Sequence, residues 1–220
     1  MSPTLPDCSN CVYTNCYCEE NIFLLLKRFL TTPENRLHWD FFAVLISNPT
    51  KTVALWNQRA ASSRDSAIIW DYHVVLALRE RERPDKSLSY RQTSELAAWI
   101  YDLDTCLPVP CHWQEYVGGT FPPNCGLPVE FQSLFRVVPG EEYLNNFASD
   151  RSHMISLTQS PKPQYFAKAP PYPCICGPSA AEQGIKHNLM SHFVSMVADE
   201  GFGSVMDFSS FVAWCSRTQP

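Results

Sequence analysis

Cys18, His73 and Asp102 are the residues of this chain whose types and order suit covalent chemistry. A thiol attacks as its thiolate, and a free cysteine with a pKa of about 8.5 is only slightly ionised at neutral pH. An imidazole can take the thiol proton, and a carboxylate can hold that imidazole in one tautomer and stabilise its charged form. Such a trio attacks amide carbonyls. A position at the start of a helix would favour the Cys18 thiolate, whereas Glu19 and Glu20 oppose it, least if their side chains point into solvent. The backbone N–H of Cys18 is the natural first oxyanion donor, with a second expected from residues 11–17.

The elements that would carry the trio follow from hydrophobic spacing. Residues 21–30 (NIFLLLKRFL) place apolar side chains at 22, 25, 26, 29 and 30, the pattern of a helix with one buried face. Asn15 or Thr14 is expected to cap it, which puts Cys18 in the first turn. Strands are expected at 41–47, 52–56, 67–78 and 97–104, each rich in β-branched or aromatic residues. If the last two pair as an antiparallel hairpin with Leu78 facing Ala97, His73 stands directly across from Asp102, about 5 Å away at Cβ. Asp104 would then face Asp71. Residues 79–95, charged and Pro-containing, read as the loop of that hairpin. Residues 105–181 are rich in Pro and poor in periodicity, as expected of loops that shape a site, with a strand at 131–138. Helices are expected at 188–197 and 207–215, the second capped by Asp207.

The 220 residues suit a single domain, with residues 1–10 as a disordered tail, and 45% hydrophobic residues suffice for a core. A net charge of -5 leaves no broad basic surface, so neither nucleic acid nor an anionic membrane is an expected partner. The first residues lack a basic and then apolar leader, and the apolar runs are too short to cross a bilayer. A cytosolic or nuclear location is therefore expected, and with it ten mostly reduced cysteines. Cys8, Cys11, Cys16 and Cys18 raise the alternative of a zinc-stabilised adaptor without catalysis, although Cys16-Tyr17-Cys18 makes a poor metal knuckle.

Cys16-Tyr17-Cys18-Glu19-Glu20-Asn21 resembles the protein N-terminal glutamine amidohydrolase family, which converts an N-terminal Gln to Glu. CVYTNCYCEEN (11–21), AVLISN (43–48), IWDYHVV (69–75), IYDLDT (100–105), NNFASDRSHM (145–154) and PPYPCI (170–175) extend the likeness in order along the chain. The resemblance implies Cys18 as nucleophile, His73 as base and Asp102 as its orienter. It implies an α/β (α+β) fold related to papain-like and transglutaminase-like cysteine hydrolases, with the nucleophile helix packed on an antiparallel sheet. It also implies thioester chemistry without a cofactor, a monomer, protein or peptide substrates, and a product that feeds the N-degron pathway. Terminal selectivity needs a carboxylate for the α-ammonium, and Asp71, Asp150 and Glu20 are the candidates. Trp70, Tyr13 and Phe147 could form aromatic walls. His153 reads as an orienting residue and Asp150 with Arg151 as an ion pair or substrate clamp. A cysteine protease or a transglutaminase is the rival enzyme, because the same trio serves either.

Overall fold

The computed structural model describes residues 3–63, 65–81, 98–123, 126–156 and 164–217. Helix α1 (Cys18–Leu30) forms where the apolar spacing predicts, with Glu19 and Glu20 in its first turn and Lys27 and Arg28 in its last, both matched to the helix dipole. It starts at Cys18 itself, and Tyr17 is the N-cap residue, with no side chain capping the helix. Neither Asn15 nor Thr14 caps. Instead Asn21 reaches back, its amide making paired 2.8 Å bonds to the Thr14 backbone. Cys16, in the left-handed region at φ 65°, completes the turn that delivers Cys18 to the helix start.

Helix α2 (Pro33–His38) leads into β1 (Trp39–Ser47), the long strand of a six-stranded antiparallel sheet. β1 pairs on one side with β4 (His73–Glu80), followed outward by β5 (Ala98–Tyr101) and β6 (Cys111–His112). On its other side lie β7 (Leu134–Pro139) and β10 (Ser204–Met206). Two small pairs, β2 (Val53–Leu55) with β3 (Ile68–Trp70) and β8 (Ile155–Ser156) with β9 (Gln164–Tyr165), stand apart from the main sheet. Both faces of the sheet are covered, which explains why β1 and β4 read as continuous apolar runs rather than alternating ones. One face buries Ala43, Leu45, Val74 and Leu76 against Ile22 and Leu26 of α1. The other buries Val44, Val75, Ala77 and Phe135 against Tyr116 of α3 (Trp113–Thr120) and Phe211 of the helix Phe208–Ser216.

Several expectations are corrected. The strand expected at 67–78 breaks at Asp71 and Tyr72: the Asp71 carboxylate takes the Tyr72 N–H at 2.9 Å and Ser47 Oγ donates to the Asp71 carbonyl at 2.7 Å, so the chain leaves one sheet and enters another. The aperiodic stretch 105–181 holds the expected strand as β7, and in addition two helices that were not expected, α3 and α4 (Gly140–Asn146). Gly140 permits close packing there, since a Cβ would lie 2.9 Å from a Leu26 methyl. The helix expected at 188–197 is only a π-helical turn, Leu189–Phe193. Buried Arg136 draws the carbonyls of Ser195, Val197 and Phe202 to its guanidinium at 2.8 Å each, removing them from helical use. Residues 3–10 are packed rather than a loose tail: Tyr101 Oη donates to the Pro6 carbonyl at 2.7 Å, and Trp39 Nε1 to that of Thr4 at 3.3 Å. Most of the expected 79–95 loop lies outside the described residues.

Candidate active site

β4 and β5 pair antiparallel as expected, but Leu78 faces Trp99, which puts the ladder two residues away from the expected register. Continued to the strand end, that register sets His73 across from Asp104. Because side chains alternate with period two, the shift leaves His73 and Asp102 on the same face. Asp102, one residue past β5, meets the imidazole diagonally: His73 Nε2 lies 2.9 Å from Asp102 Oδ1, and neither side chain is exposed. An ionised carboxylate only accepts, so Nε2 donates and Nδ1 carries the lone pair. Nδ1 is buried and has no hydrogen-bond partner.

A buried carboxylate needs every lone pair answered. Asp102 Oδ1 also accepts the Asp104 N–H at 2.9 Å, while Oδ2 accepts Gln58 Nε2 at 3.1 Å and Tyr116 Oη at 3.0 Å. Burial works to raise its pKa, but His73 and these donors hold it below the ordinary carboxylate value. For His73 the order is similar: burial pulls the imidazole down, and Asp102, by charge and hydrogen bond, carries it above the ordinary histidine value with help from Asp104. Gln58 and Tyr116 escaped the sequence reading. Tyr116, Val117 and Thr120 form the buried stripe of α3, a spacing that could have been found. Gln58 carries no such signal; it arrives because residues 57–59 zip onto residues 104–106, Arg59 N–H to the Asp104 carbonyl and Cys106 N–H to that of Asn57.

Cys18 is 8% exposed and lies where α1 packs on β4, with the backbone N–H of Val74, the residue after His73, directed at its sulfur. Its S–H donates to Glu19 Oε2 at 3.7 Å rather than to His73. Burial first, then the charges of Glu19 and Asp104, push the thiol well above its ordinary pKa. Glu19 and Glu20 are both fully buried, so neither points into solvent, the arrangement that would cost the thiolate least. Glu19 Oε2 accepts from Tyr72 Oη at 3.1 Å, and its Oε1 is 3.5 Å from His153 Nε2. His153 therefore has a carboxylate neighbour that the sequence did not reveal.

The six candidate substrate residues separate. Glu20 is taken by Arg151, with Nε on Oε1 and Nη2 on Oε2, both at 2.8 Å, leaving no room for an ammonium. Phe147 is fully buried among Phe23, Tyr143 and Phe193 and belongs to the core. Asp150 lies 3.2 Å from His187 Nδ1, so its charge partner is His187 rather than Arg151. Trp70 stacks on the His73 ring at 5.5 Å between centroids. Tyr13 Oη donates to Asp104 Oδ1 at 2.6 Å. Asp71 is exposed, and its charge reaches the sulfurs of both Cys16 and Cys18.

Among the described residues, His73, Asp102 and Asp104 are the group whose ligand atoms lie close enough to share a metal ion, and no thiol belongs to it. His73 Nε2 and Asp102 Oδ1 are spent on each other, Asp102 Oδ2 accepts from Gln58 and Tyr116, and Asp104 Oδ1 accepts from Tyr13, a poor fit to the open coordination a metal requires. A separate cavity of about 950 Å³, lined by Trp56, Phe121, Leu127 and Phe208 among others, contains none of the trio and is mostly apolar.

The sequence model of the N-terminal glutamine amidase family matches residues 13–215. This chain belongs to that family. It is 37% identical over 209 residues to protein N-terminal glutamine amidohydrolase of Homo sapiens, covering 95% of this chain and 90% of the relative. The protein of the same name from Danio rerio is 36% identical over 210 residues, covering 94% and 90%. That of Drosophila mojavensis is 34% identical over 214 residues, covering 97% and 91%. For an N-terminal glutamine amidase, the matched span includes every residue of the His73–Asp102 and Cys18–Glu19 contacts.

Proposed function

We propose that the chain hydrolyses the side-chain amide of N-terminal glutamine in proteins and peptides, giving N-terminal glutamate and ammonia. His73 Nδ1 takes the Cys18 proton, and the thiolate attacks the side-chain carbonyl carbon. The first helical turn presents the Cys18 N–H, which has no intrahelical partner, to the developing oxyanion. The imidazolium returns its proton to the departing nitrogen as ammonia leaves, and the same imidazole then activates the water that cleaves the γ-glutamyl thioester. Asp102 holds the ring throughout. The observation that carries this reading is His73 fixed on Asp102 with Nδ1 buried and unpartnered, in a chain of this family.

With Glu20 and Asp150 otherwise engaged, Asp71 is the carboxylate we assign to the α-ammonium, and Trp70 and Tyr13 are its aromatic neighbours in the site. A thiol at the helix start, on an antiparallel sheet bearing the imidazole, supports kinship with papain-like and transglutaminase-like hydrolases. We further infer a monomer of the cytosol or nucleus that acts on protein termini and needs neither nucleic acid nor membrane.

Mass spectrometry of synthetic peptides tests the proposal. A Gln-first peptide should gain the mass of deamidation, while acetylated Gln-first and internal-Gln peptides stay unchanged. Chain cleavage would support the protease instead, and incorporation of an added amine the transglutaminase. Cys18→Ser must abolish the mass change with an unchanged circular dichroism spectrum; surviving turnover excludes Cys18 as nucleophile.

A further inference from the structure

The Cys18 thiol has a hydrogen-bond acceptor in Glu19, whereas the mechanism proposed above needs its proton to go to His73. Its S–H is directed to Glu19 Oε2, while His73 Nδ1 has no partner. Glu19 is fully buried, its Oε1 makes no hydrogen bond, and its contacts with Tyr72 and His153 hold the carboxylate beside the sulfur.

We propose that Glu19 is a charge gate on Cys18: it retains the thiol proton in the empty site, and the α-ammonium of a bound substrate releases that proton to His73. The inference rests on the N-terminal glutamine reading and supplies its selectivity. Glu19 is thus a positioning residue, acting through the sulfur rather than on the reacting amide.

The charges around the thiol make the mechanism work. Glu19 approaches along α1, Asp71 from the turn before β4 and Asp104 from beyond β5, and each disfavours a negative sulfur. Tyr72 and Tyr143 also border it, and as neutral groups they offer no compensating charge. On the far side of Glu19 lies His153, 3.5 Å from Oε1 and stacked at 5.5 Å on His187, which leaves His73 as the imidazole to take the thiol proton. An ammonium drawn to Asp71 enters this field with the opposite sign. It offsets the carboxylates, the proton passes from Cys18 Sγ to His73 Nδ1, and the imidazolium is steadied by Asp102. An acetylated terminus or an internal glutamine brings no charge, so the thiol stays protonated even when the side chain fits. Selectivity for a free terminus then acts on nucleophile formation, hence on kcat as well as on KM.

The pH dependence of Cys18 alkylation by iodoacetamide tests the gate. In Glu19→Gln the inflection should move to lower pH by at least about one unit, tenfold more thiolate at a given pH. The preference for Gln-first over acetylated Gln-first peptide, as a ratio of kcat/KM, should fall by about tenfold for the same reason. An unchanged profile overturns the proposal. A measurement on the wild-type protein decides the matter should the variant fail to fold. Ultraviolet thiolate absorbance, taken as the difference from Cys18→Ser, should rise on adding an unreactive norleucine-first dipeptide at concentrations that inhibit turnover. The acetylated dipeptide should give no rise, and equal responses to both also overturn the gate. Failure of the wild type to deamidate a Gln-first peptide is a separate result that removes the functional reading itself.

Discussion

Arg151 grips Glu20 with two parallel hydrogen bonds of 2.8 Å, 131 residues apart in the chain and almost fully out of solvent. The same guanidinium reaches the carbonyls of Tyr172 and Pro173 at 3.1 and 3.3 Å, and Arg151 itself sits in the left-handed region at φ 63°. One side chain thereby ties the first turn of α1 to two distant loops. Because the fork geometry answers both carboxylate oxygens, Glu20 is structural, and its conversion to Gln leaves a buried cation half matched. Glu20→Gln should cost about 3–5 kcal/mol in chemical denaturation. A loss under about 1 kcal/mol would show the pair to be solvated in solution.

Asp102 raises the basicity of His73 against the pull of burial. Turnover requires the imidazole neutral at the outset, so kcat/KM should fall on the acid side with a midpoint above the ordinary histidine value of about 6.5. In Asp102→Asn the stabilising charge is gone and burial remains, which moves that midpoint to lower pH while kcat drops about a hundredfold or more. A pH–rate profile of both proteins checks the sign. An acid limb that stays in place removes Asp102 from the ionisation of His73.

Tyr116 offers a gentler perturbation of the same carboxylate, since its hydroxyl supplies one of four hydrogen bonds to Asp102. Tyr116→Phe keeps the ring in the core and removes that donor alone. A bond to a charged group is worth about 1.5–3 kcal/mol, so stability should fall by that much, with kcat reduced and KM little changed. Thermal unfolding and steady-state kinetics on one preparation separate the two effects.

Asp71 is exposed and contributes to the fold mainly through its main-chain carbonyl and the Tyr72 N–H it accepts. Asp71→Asn retains an oxygen for that N–H but loses the charge assigned to the ammonium. KM for a Gln-first peptide should rise about tenfold or more, in line with an ionic contact of roughly 1.4 kcal/mol, with little loss of stability. Unchanged kinetics would move the anchor to another carboxylate, with Asp104 next in line.

The residue types carried by the site were legible without coordinates because local physics demands them. The apolar stripe of α1 has one way to be buried, and that places Cys18 at the helix start. Two β-rich segments in succession pair antiparallel, and period-two alternation keeps His73 and Asp102 on one face even when the register is misjudged by two residues. A slip of one would have separated them. Motif likeness pointed to the same three residues.

Which carboxylate does what was decided only by the folded chain. Glu19, Glu20, Asp71, Asp104 and Asp150 are similar as letters, and their roles depend on partners brought from far along the sequence: Tyr72 and His153 for Glu19, Arg151 for Glu20, Tyr13 for Asp104, His187 for Asp150. Spacing along a helix or strand encodes which side of an element is buried, because that periodicity is local. Pairing between charges in a low-dielectric interior depends on loop paths and close packing, which no local pattern records.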